Sequence, residues 1–230
     1  MTIDDINKIT IKDYDELRHI IERRYANNNE VIDVGDLDVS NVKSFYNAFW
    51  KCCELKVIKG LETWNTSNVE GMRFMFYECH SLVSLDLSNF NTSNVMDMDS
   101  MFYECKSLAS LNISNFNTSN VKYMAYMFNS CRSLTSLDLS NFNTSKVELM
   151  NGMFSWCDSL TSLDLSSFDT SNVVDMCGMF DRCKLLTSLD LSNFNTSKVE
   201  LMSCMFHGCK SLTSLDLSNF NISIVENMLD

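Results

Sequence analysis

A single period of 26 residues governs this chain. The phrase CRSLTSLDLSNFNTSKVELMNGMF begins at Cys131, and a close copy begins at Cys157. The period is marked by cysteines at the following positions: Cys79, Cys105, Cys131, Cys157, Cys183 and Cys209. A repeat of this size, kept this faithfully, is the signature of a solenoid in which each repeat forms one coil stacked on the last. The period therefore predicts a rod of stacked coils, each held mainly by its neighbours.

Each coil begins with a short strand. Leu137 and Leu139 alternate with Ser136, Asp138 and Ser140, which is the two-residue period of a strand with one buried face. Because the same letters recur at a constant interval, we expect equivalent strands to pair in parallel, about 4.8 Å apart.

The rest of each coil reads as a corner and a helix. Asn143 and Thr144 are residues that satisfy turn backbone with their side chains, and Phe142 is expected to fill the corner of the core. Apolar residues then recur at spacings of three and four, which predicts a short helix with one buried face. In one coil these are Val147, Met150, Met153, Phe154 and Cys157.

This layout resembles the BspA-like leucine-rich-repeat surface proteins over roughly residues 32–228. The resemblance is carried by the phrase LTSLDLSNFNTS at 134–145 and by the apolar residues that follow it. It implies a right-handed solenoid used for adhesion or protein recognition. The expected fold is therefore α/β: a right-handed leucine-rich-repeat solenoid with a parallel β-sheet, short helices and about eight coils.

Two segments depart from the period. Residues 1–30 precede the repeats at 31–230; Asp13 and Glu16 form a capping-box pattern, which predicts a helix over residues 13–24 that covers the first coil. A partner-binding helix is the alternative. The first junction, from Cys52 to Trp64, carries one extra residue near Gly60, which predicts a bulge or bent strand over residues 58–61.

Charge and hydropathy narrow the partners and the location. A net charge of −12 argues against nucleic acid and anionic membranes as ligands, and no apolar run is long enough to predict membrane insertion. The first residues lack the pattern of a signal peptide, which predicts a cytoplasmic chain, with a secreted or cell-surface protein as the alternative. The last coil breaks off at Asp230, so we expect either end-to-end self-association through it or a longer natural protein.

The cysteines recur at one position of the apolar face. Free cysteine is among the most buried residue types, so this recurrence predicts reduced thiols in the core rather than disulfides or a zinc site. Cys53, Cys177 and Cys204 are out of register and are predicted to be the more exposed or reactive ones. No cofactor is predicted.

A row of acidic residues occupies one outward strand position. Its members are Asp86, Asp138, Asp164, Asp190 and Asp216, with Asn112 in the remaining coil. Like charges about 5 Å apart cost roughly 1 kcal/mol per contact. Either water and serines absorb this cost, or the row attracts a basic protein or cations. On this basis we expect neutralisation of the row to raise thermal stability and to abolish partner binding.

Aromatic residues form a second candidate surface, because they vary between coils at outward positions of the predicted helix. They are Phe74, Tyr77, Tyr103, Tyr126 and Trp156. Exposed aromatic rings on a rigid scaffold are favoured contact anchors, although they could also fold down against neighbouring coils.

The sequence thus favours a non-enzymatic protein-interaction or scaffold module, with a protein partner that is basic if the acidic row binds it. A secreted or cell-surface adhesin is the alternative within the same class. A metal-binding or hydrolytic enzyme is the remote alternative, because a uniform repeated surface offers no irregular pocket of the kind catalysis needs.

Overall fold

The computed structural model, which describes residues 8–221, is a stack of coils. Single parallel bridges join equivalent residues of successive coils in this order: Ser44, Gly71, Asp97, Tyr123, Leu149, Asp175 and Leu201. After the first step, from Ser44 to Gly71, every partner lies one 26-residue period further on. The predicted stacking of equivalent residues into rows is therefore confirmed.

Parallel strands form the other side of the first coils. Strand β2 (Val31–Asp33) pairs with β4 (Val57–Lys59), and β5 (Ser84–Asp86) pairs with β6 (Ser110–Asn112), with Leu85 opposite Leu111. Residues 136–138 and 162–164 keep the leucine positions but are not in regular strands, so the expectation of a strand in every coil is wrong. The bridges and side-chain hydrogen bonds already fix these later coils, so a continuous ladder is not required.

The segment before the repeats covers the first coil. Strand β1 (Ile9–Thr10) pairs in parallel with β3 (Leu37–Asp38), and helix α1 (Tyr14–Asn27) buries its apolar stripe in the core. Asp13 caps the helix by accepting a hydrogen bond from the Glu16 N–H at 3.0 Å. The predicted helix and its N-cap residue, Asp13, are confirmed; the division into a capping segment at 1–30 and a solenoid at 31–230 stays a prediction.

The predicted short helices within the coils are wrong. Residues 72–79 form consecutive turns, in which N–H groups that donate to the next coil alternate with N–H groups that donate within the same coil. The N–H groups of Met72, Phe74 and Phe76 donate to carbonyls of the next coil at 2.8–3.0 Å. The N–H groups of Met75 and Tyr77 donate three residues back at 3.2 Å. A helix would use every amide internally, and none would then remain to join the coils.

Two residues in each such segment adopt the left-handed conformation. In one coil they are Phe74 and Glu78, with φ of 57° and 56°, and in later coils Gly152, Gly178 and Gly208 occupy the equivalent positions. A residue with a side chain costs about 1–2 kcal/mol in this conformation, whereas glycine adopts it readily. The glycines in the later repeats therefore mark a backbone requirement that the other coils meet under strain.

The extra residue of the first junction does not make a bulge. Strand β4 ends at Lys59, Gly60 adopts φ 88°, and a 3-10 helix spans Leu61–Thr63. A Cβ at Gly60 would lie 2.2 Å from the Gly35 backbone nitrogen, so only glycine fits this crossing. The position of the irregularity is confirmed and its predicted form is corrected. Trp64 fills the corner site as expected, and its Nε1 donates to the Val34 carbonyl at 3.0 Å.

The core is built from columns of identical side chains. Phenylalanine rings stack face to face with centroids 5.2–5.8 Å apart, through Phe49, Phe76, Phe102, Phe128, Phe154, Phe180 and Phe206. The predicted thiols lie beside them and are buried except for the half-buried Cys209; from Cys79 to Cys209 each Sγ lies 3.0–3.2 Å from a phenylalanine carbonyl of the preceding coil. Burial raises the pKa of Cys157 to about 12, so this column is a packing feature, as predicted.

Buried threonines tie each corner to the next. The Thr118 hydroxyl donates to the Asn143 carbonyl at 2.9 Å and accepts from the Asn143 N–H at 2.8 Å. The same pair of bonds recurs at Thr66, Thr92, Thr144 and Thr170, and the Thr196 hydroxyl accepts from the Asn221 N–H at 2.7 Å; all six threonines are buried. The corners are thus joined by side chains where the strand ladder is absent.

Candidate interaction surfaces

Most of the predicted aromatic residues lie in one continuous row. From the cap towards the middle of the stack, each ring contacts the next through Tyr14, Tyr46, Phe74, Tyr77, Tyr103 and Tyr126, with centroids 4.7–6.4 Å apart. We call these six residues the aromatic row. Tyr77 and Tyr103 stack in parallel at 4.7 Å, and the Arg73 guanidinium lies 4.6 Å from the centre of the Phe74 ring.

The aromatic row is partly exposed and firmly held. Tyr14, Tyr46 and Tyr126 are 41–42% exposed, whereas Phe74 and Tyr77 are half-buried. Burial, together with the nearby Tyr103, raises the pKa of Tyr77 to about 12, so its phenol keeps its proton and can donate a hydrogen bond. None of the six rings belongs to the buried core, so the row lies at the surface of the stack.

Trp156 lies apart from the aromatic row, among cations. The charged groups of Arg132, Arg182 and Lys184 lie 5.1, 4.3 and 5.2 Å from the centre of its ring. These distances are within the range of cation–π attraction. We call Trp156 and these three residues the Trp156 cluster. The structure therefore divides the five predicted aromatic residues into four that belong to one row and one that anchors a basic patch.

The acidic row has a structural role that its sequence pattern does not reveal. Asp138 and Asp164 each accept a hydrogen bond from the backbone N–H two residues later, at 3.0 and 2.9 Å. The carboxylates of Asp86, Asp190 and Asp216 accept the same hydrogen bond, and in the remaining coil the side-chain amide oxygen of Asn112 accepts it. These carboxylates are exposed on the sheet side, as predicted.

The charge balance of the acidic row differs from the expectation. Hydrogen bonds from the Ser140 hydroxyl and N–H lower the pKa of Asp138, and repulsion from Asp164 is the smallest influence on it. Serine hydrogen bonds also lower the pKa of Asp164 and Asp190. These hydrogen bonds favour the charged form and therefore oppose the expected gain in thermal stability on neutralisation, which stays a prediction. Whether the row binds a basic protein or cations stays a prediction.

Several residues of these surfaces were not singled out from the sequence. Tyr14 belongs to the cap, and Tyr46 belongs to the coil before the extra residue, so neither falls on the 26-residue register. Arg132 and Lys184 stand at one position of the repeat, where the other coils carry His80, Lys106, Asp158 and Lys210. Aligning that position across the repeats would have revealed its basic character.

Within residues 8–221, no three His, Cys, Asp or Glu side chains converge as a metal site requires.

In the same range, no helix is both long enough and apolar enough to cross a bilayer. Of the out-of-register cysteines, Cys204 is exposed, and Cys53 and Cys177 are half-buried.

The chain matches a family known from other sequences. The model of the family described as "Mycoplasma protein of unknown function, DUF285" matches residues 16–136, 83–163 and 134–230. The chain belongs to this family. Its three overlapping matches follow the internal repetition, so membership in the DUF285 family describes the repeat itself. No curated protein matches the chain.

Similar solved structures are leucine-rich-repeat proteins, as the resemblance to BspA-like proteins led us to expect. A T. pallidum leucine-rich-repeat protein is 22% identical, covering 64% of this chain and 72% of its own, with a TM-score of 0.40. A Bacteroides ovatus leucine-rich-repeat protein is 17% identical, covering 82% and 55%, with a TM-score of 0.39. A leucine-rich cell-surface protein of Faecalibacterium prausnitzii is 15% identical, covering 98% and 86%, with a TM-score of 0.28. This chain thus spans about half the length of the Bacteroides protein.

Proposed function

We propose that this chain is a non-enzymatic protein-interaction module, and that the aromatic row is its main contact surface. The single observation that supports this is the contact of six partly exposed rings along one side of a rigid stack. Large aromatic side chains supply most of the binding free energy at protein interfaces. A uniform coil surface suits recognition over an area better than it suits catalysis in a pocket.

Pre-organisation supports the same proposal. The backbone beneath the rings is bonded to the next coil at every second residue, as in the bond from Phe74 N to Asp99 O at 3.0 Å. Rings that are already ordered lose little conformational entropy on binding, which raises affinity for a given contact area. We take the scaffold to be a right-handed solenoid of about eight coils.

The acidic row is proposed as a secondary contact for a basic region of the partner. Its carboxylates are exposed and stay charged at neutral pH, because serine hydrogen bonds lower their pKa. Charges at the edge of an interface steer association more than they add affinity. End-to-end self-association through the last coil falls outside the described residues and stays a prediction.

A paired-variant capture experiment tests the main proposal. The row variant Phe74→Asn, Tyr103→Ser, Tyr126→Asn removes three rings; asparagine tolerates the left-handed conformation that Phe74 and Tyr126 adopt. The control variant Val83→Ser, Leu185→Ser, Leu201→Ser removes three apolar side chains that are about half exposed and lie outside the row. Cell extract is passed over immobilised wild type and both variants, and bound proteins are quantified by mass spectrometry.

The expected result is a partner that the wild type and the control variant retain and that the row variant loses. The partner, once purified, should bind the row variant at least about tenfold more weakly, since loss of central aromatic anchors costs more than about 2 kcal/mol. Equal retention by all three proteins would refute the aromatic row as the contact surface. The cytoplasmic location and the adhesin alternative stay predictions; protease treatment of intact cells that express the tagged chain distinguishes them.

A further inference from the structure

The Trp156 cluster is a basic patch on an acidic protein. Three cations converge on one ring, although the chain as a whole carries a net charge of −12. Arg132 is exposed, and the side chains of Arg182 and Lys184 are 41% and 37% exposed. Like charges held together at a surface repel one another, so the patch attracts an anion.

Earlier coils neutralise the same basic position. There Glu104 lies 3.0 Å from Lys106 and 3.1 Å from His80, which joins side chains of two coils to one carboxylate. Two periods after Glu104 the equivalent residue is Trp156, and one period later it is Arg182. After Glu104 this position is occupied by Ser130, Trp156 and Arg182 in turn, so the glutamate that balances the charge has no counterpart in these later coils.

The remaining carboxylates do not balance the patch. Asp158 lies 2.9 Å from Lys184, and Asp181 lies 2.7 Å from His207 and 3.9 Å from Arg182. Within residues 8–221, Arg132 takes part in no ion pair, and its guanidinium contacts only the face of Trp156 among charged and aromatic partners. The cluster thus has a close ion pair at Lys184, a distant one at Arg182 and none at Arg132.

We propose that the Trp156 cluster binds an acidic segment of a partner protein in an extended conformation. The three cations come from coils that step about 4.8 Å apart, and alternate side chains of an extended peptide are about 6.8 Å apart. Two or three carboxylates on one side of such a segment therefore reach the cluster. Two of the cations are arginines, whose planar guanidinium groups pair with carboxylates through two hydrogen bonds. The half-buried Trp156 ring holds the charged groups together through cation–π attraction.

The overall charge favours a short acidic segment over other anions. A nucleic acid or an anionic membrane presents a long run of negative charge, which the acidic row and the net charge of −12 would repel. A peptide with a few carboxylates meets the patch alone. The proposed contact at the Trp156 cluster is independent of the aromatic row, because none of the four cluster residues belongs to that row.

Two measurements on the whole chain test the proposal. A fluorescein-labelled decapeptide of alternating Glu and Ala is titrated with the protein, and anisotropy gives the affinity. In parallel, 5-fluorotryptophan replaces the three tryptophans, and the ¹⁹F resonance of Trp156 is assigned with Trp156→Phe. We expect peptide binding to shift the Trp156 resonance and to leave that of the buried Trp64 unchanged.

Matched charge variants decide which surface binds. The cluster variant Arg132→Gln, Arg182→Gln, Lys184→Gln should bind the peptide about tenfold more weakly, as expected from the loss of three exposed pairs worth about 0.2–1 kcal/mol each. The control variant Lys122→Gln, Lys146→Gln, Lys198→Gln removes the same charge from a second lysine group that lines a different groove, and should stay within about twofold of wild type. Urea unfolding of both variants verifies that each is folded.

Several outcomes would overturn the proposal. These are equal weakening in both variants, absence of peptide binding, or a Trp156 shift caused equally by a Lys-Ala decapeptide. Tighter binding of a ten-nucleotide DNA strand or of phosphatidylserine vesicles would assign the patch to another ligand, and displacement by millimolar inorganic phosphate would reduce it to an anion site. A Trp156 shift that follows protein concentration without peptide would assign it to a second copy of this chain.

Discussion

Substitution of Thr118 by valine should destabilise the stack far more than its small change in shape suggests. Thr118 is fully buried, and its hydroxyl both donates to and accepts from the backbone of Asn143 in the next coil, at 2.9 and 2.8 Å. Valine has nearly the same shape but no hydroxyl, so both backbone groups of Asn143 lose their partner in a buried site.

The expected cost follows from these two bonds. Each buried polar group left without a partner costs about 1–3 kcal/mol, so the loss of both partners in Thr118→Val should lower the free energy of unfolding by about 2–6 kcal/mol. Thr118→Ser keeps the hydroxyl and removes one buried methyl group, which costs about 1 kcal/mol. Valine should therefore be clearly worse than serine, although it preserves more apolar volume.

Urea unfolding followed by circular dichroism measures the stability of both variants. Hydrogen exchange adds a local test, because the Asn143 amide should exchange much faster in Thr118→Val. The Asn117 amide, which Thr92 bonds in the same way at 2.8 Å, should be less affected. Equal stability of the valine variant and wild type, or greater loss in the serine variant, would refute the role assigned to the hydroxyl.

Three further predictions concern charge and backbone conformation. Burial raises the pKa of Asp99 to about 6, so the free energy of unfolding falls as pH rises from about 4 to 6. In urea titrations, Asp99→Asn should therefore raise the free energy of unfolding by about 1–3 kcal/mol at pH 7 and leave it unchanged at pH 3.5. Hydrogen bonds from Ser166 lower the pKa of Asp164, so the stability that its charged form contributes is lost as pH falls through that lowered pKa. Asp164→Asn should therefore reduce the melting temperature at pH 7 and leave it equal to that of wild type at pH 2. A higher melting temperature of the variant at pH 7 would support mutual repulsion within the acidic row instead. Cys204 is exposed and adopts φ 56°, so Cys204→Gly should stabilise the protein by about 1 kcal/mol. Gly60→Ala should destabilise it by several times as much, because a Cβ there would meet the Gly35 backbone. If calorimetry gave the same sign for both variants, the backbone argument would be contradicted.

The period alone predicts the rows and the core. Leu85 lies opposite Leu111 because equal coil lengths place equal letters in register, and the buried cysteines follow from the same rule. Helix α1 was readable from Asp13 and its apolar stripe, which are local signals.

The turns between the corners could not be read from hydrophobic spacing. Met72, Met75 and Cys79 are three and four residues apart, and this spacing fits a helix as well as consecutive turns closed three residues back. The distinguishing signal is glycine at Gly152, Gly178 and Gly208, which occupies the two left-handed positions of the coil. A regular helix would have no use for glycine there.

The interaction surfaces were predicted only in part for a related reason. Four residues of the aromatic row recur on the repeat register, so the sequence could suggest them. The contacts around Trp156 depend on which positions of neighbouring coils lie side by side, and this was set by turns that the sequence had suggested were helical. Similarly, the acidic row was interpreted through its charge, because the hydrogen bond from each carboxylate to the N–H two residues later is visible only in the folded turn.

The bonds between coils also determine how this protein can change its length. Thiols, hydroxyls and backbone amides all bond at fixed sequence intervals, such as the 25 residues from Thr118 to Asn143 and the 29 from Phe102 to Cys131. Duplication or loss of a whole 26-residue unit reproduces every such bond, whereas an insertion or deletion of one residue disturbs the bonds between that coil and its neighbours. Genes of this kind should therefore differ between strains by whole units, with single-residue changes confined to junctions such as the one at Gly60.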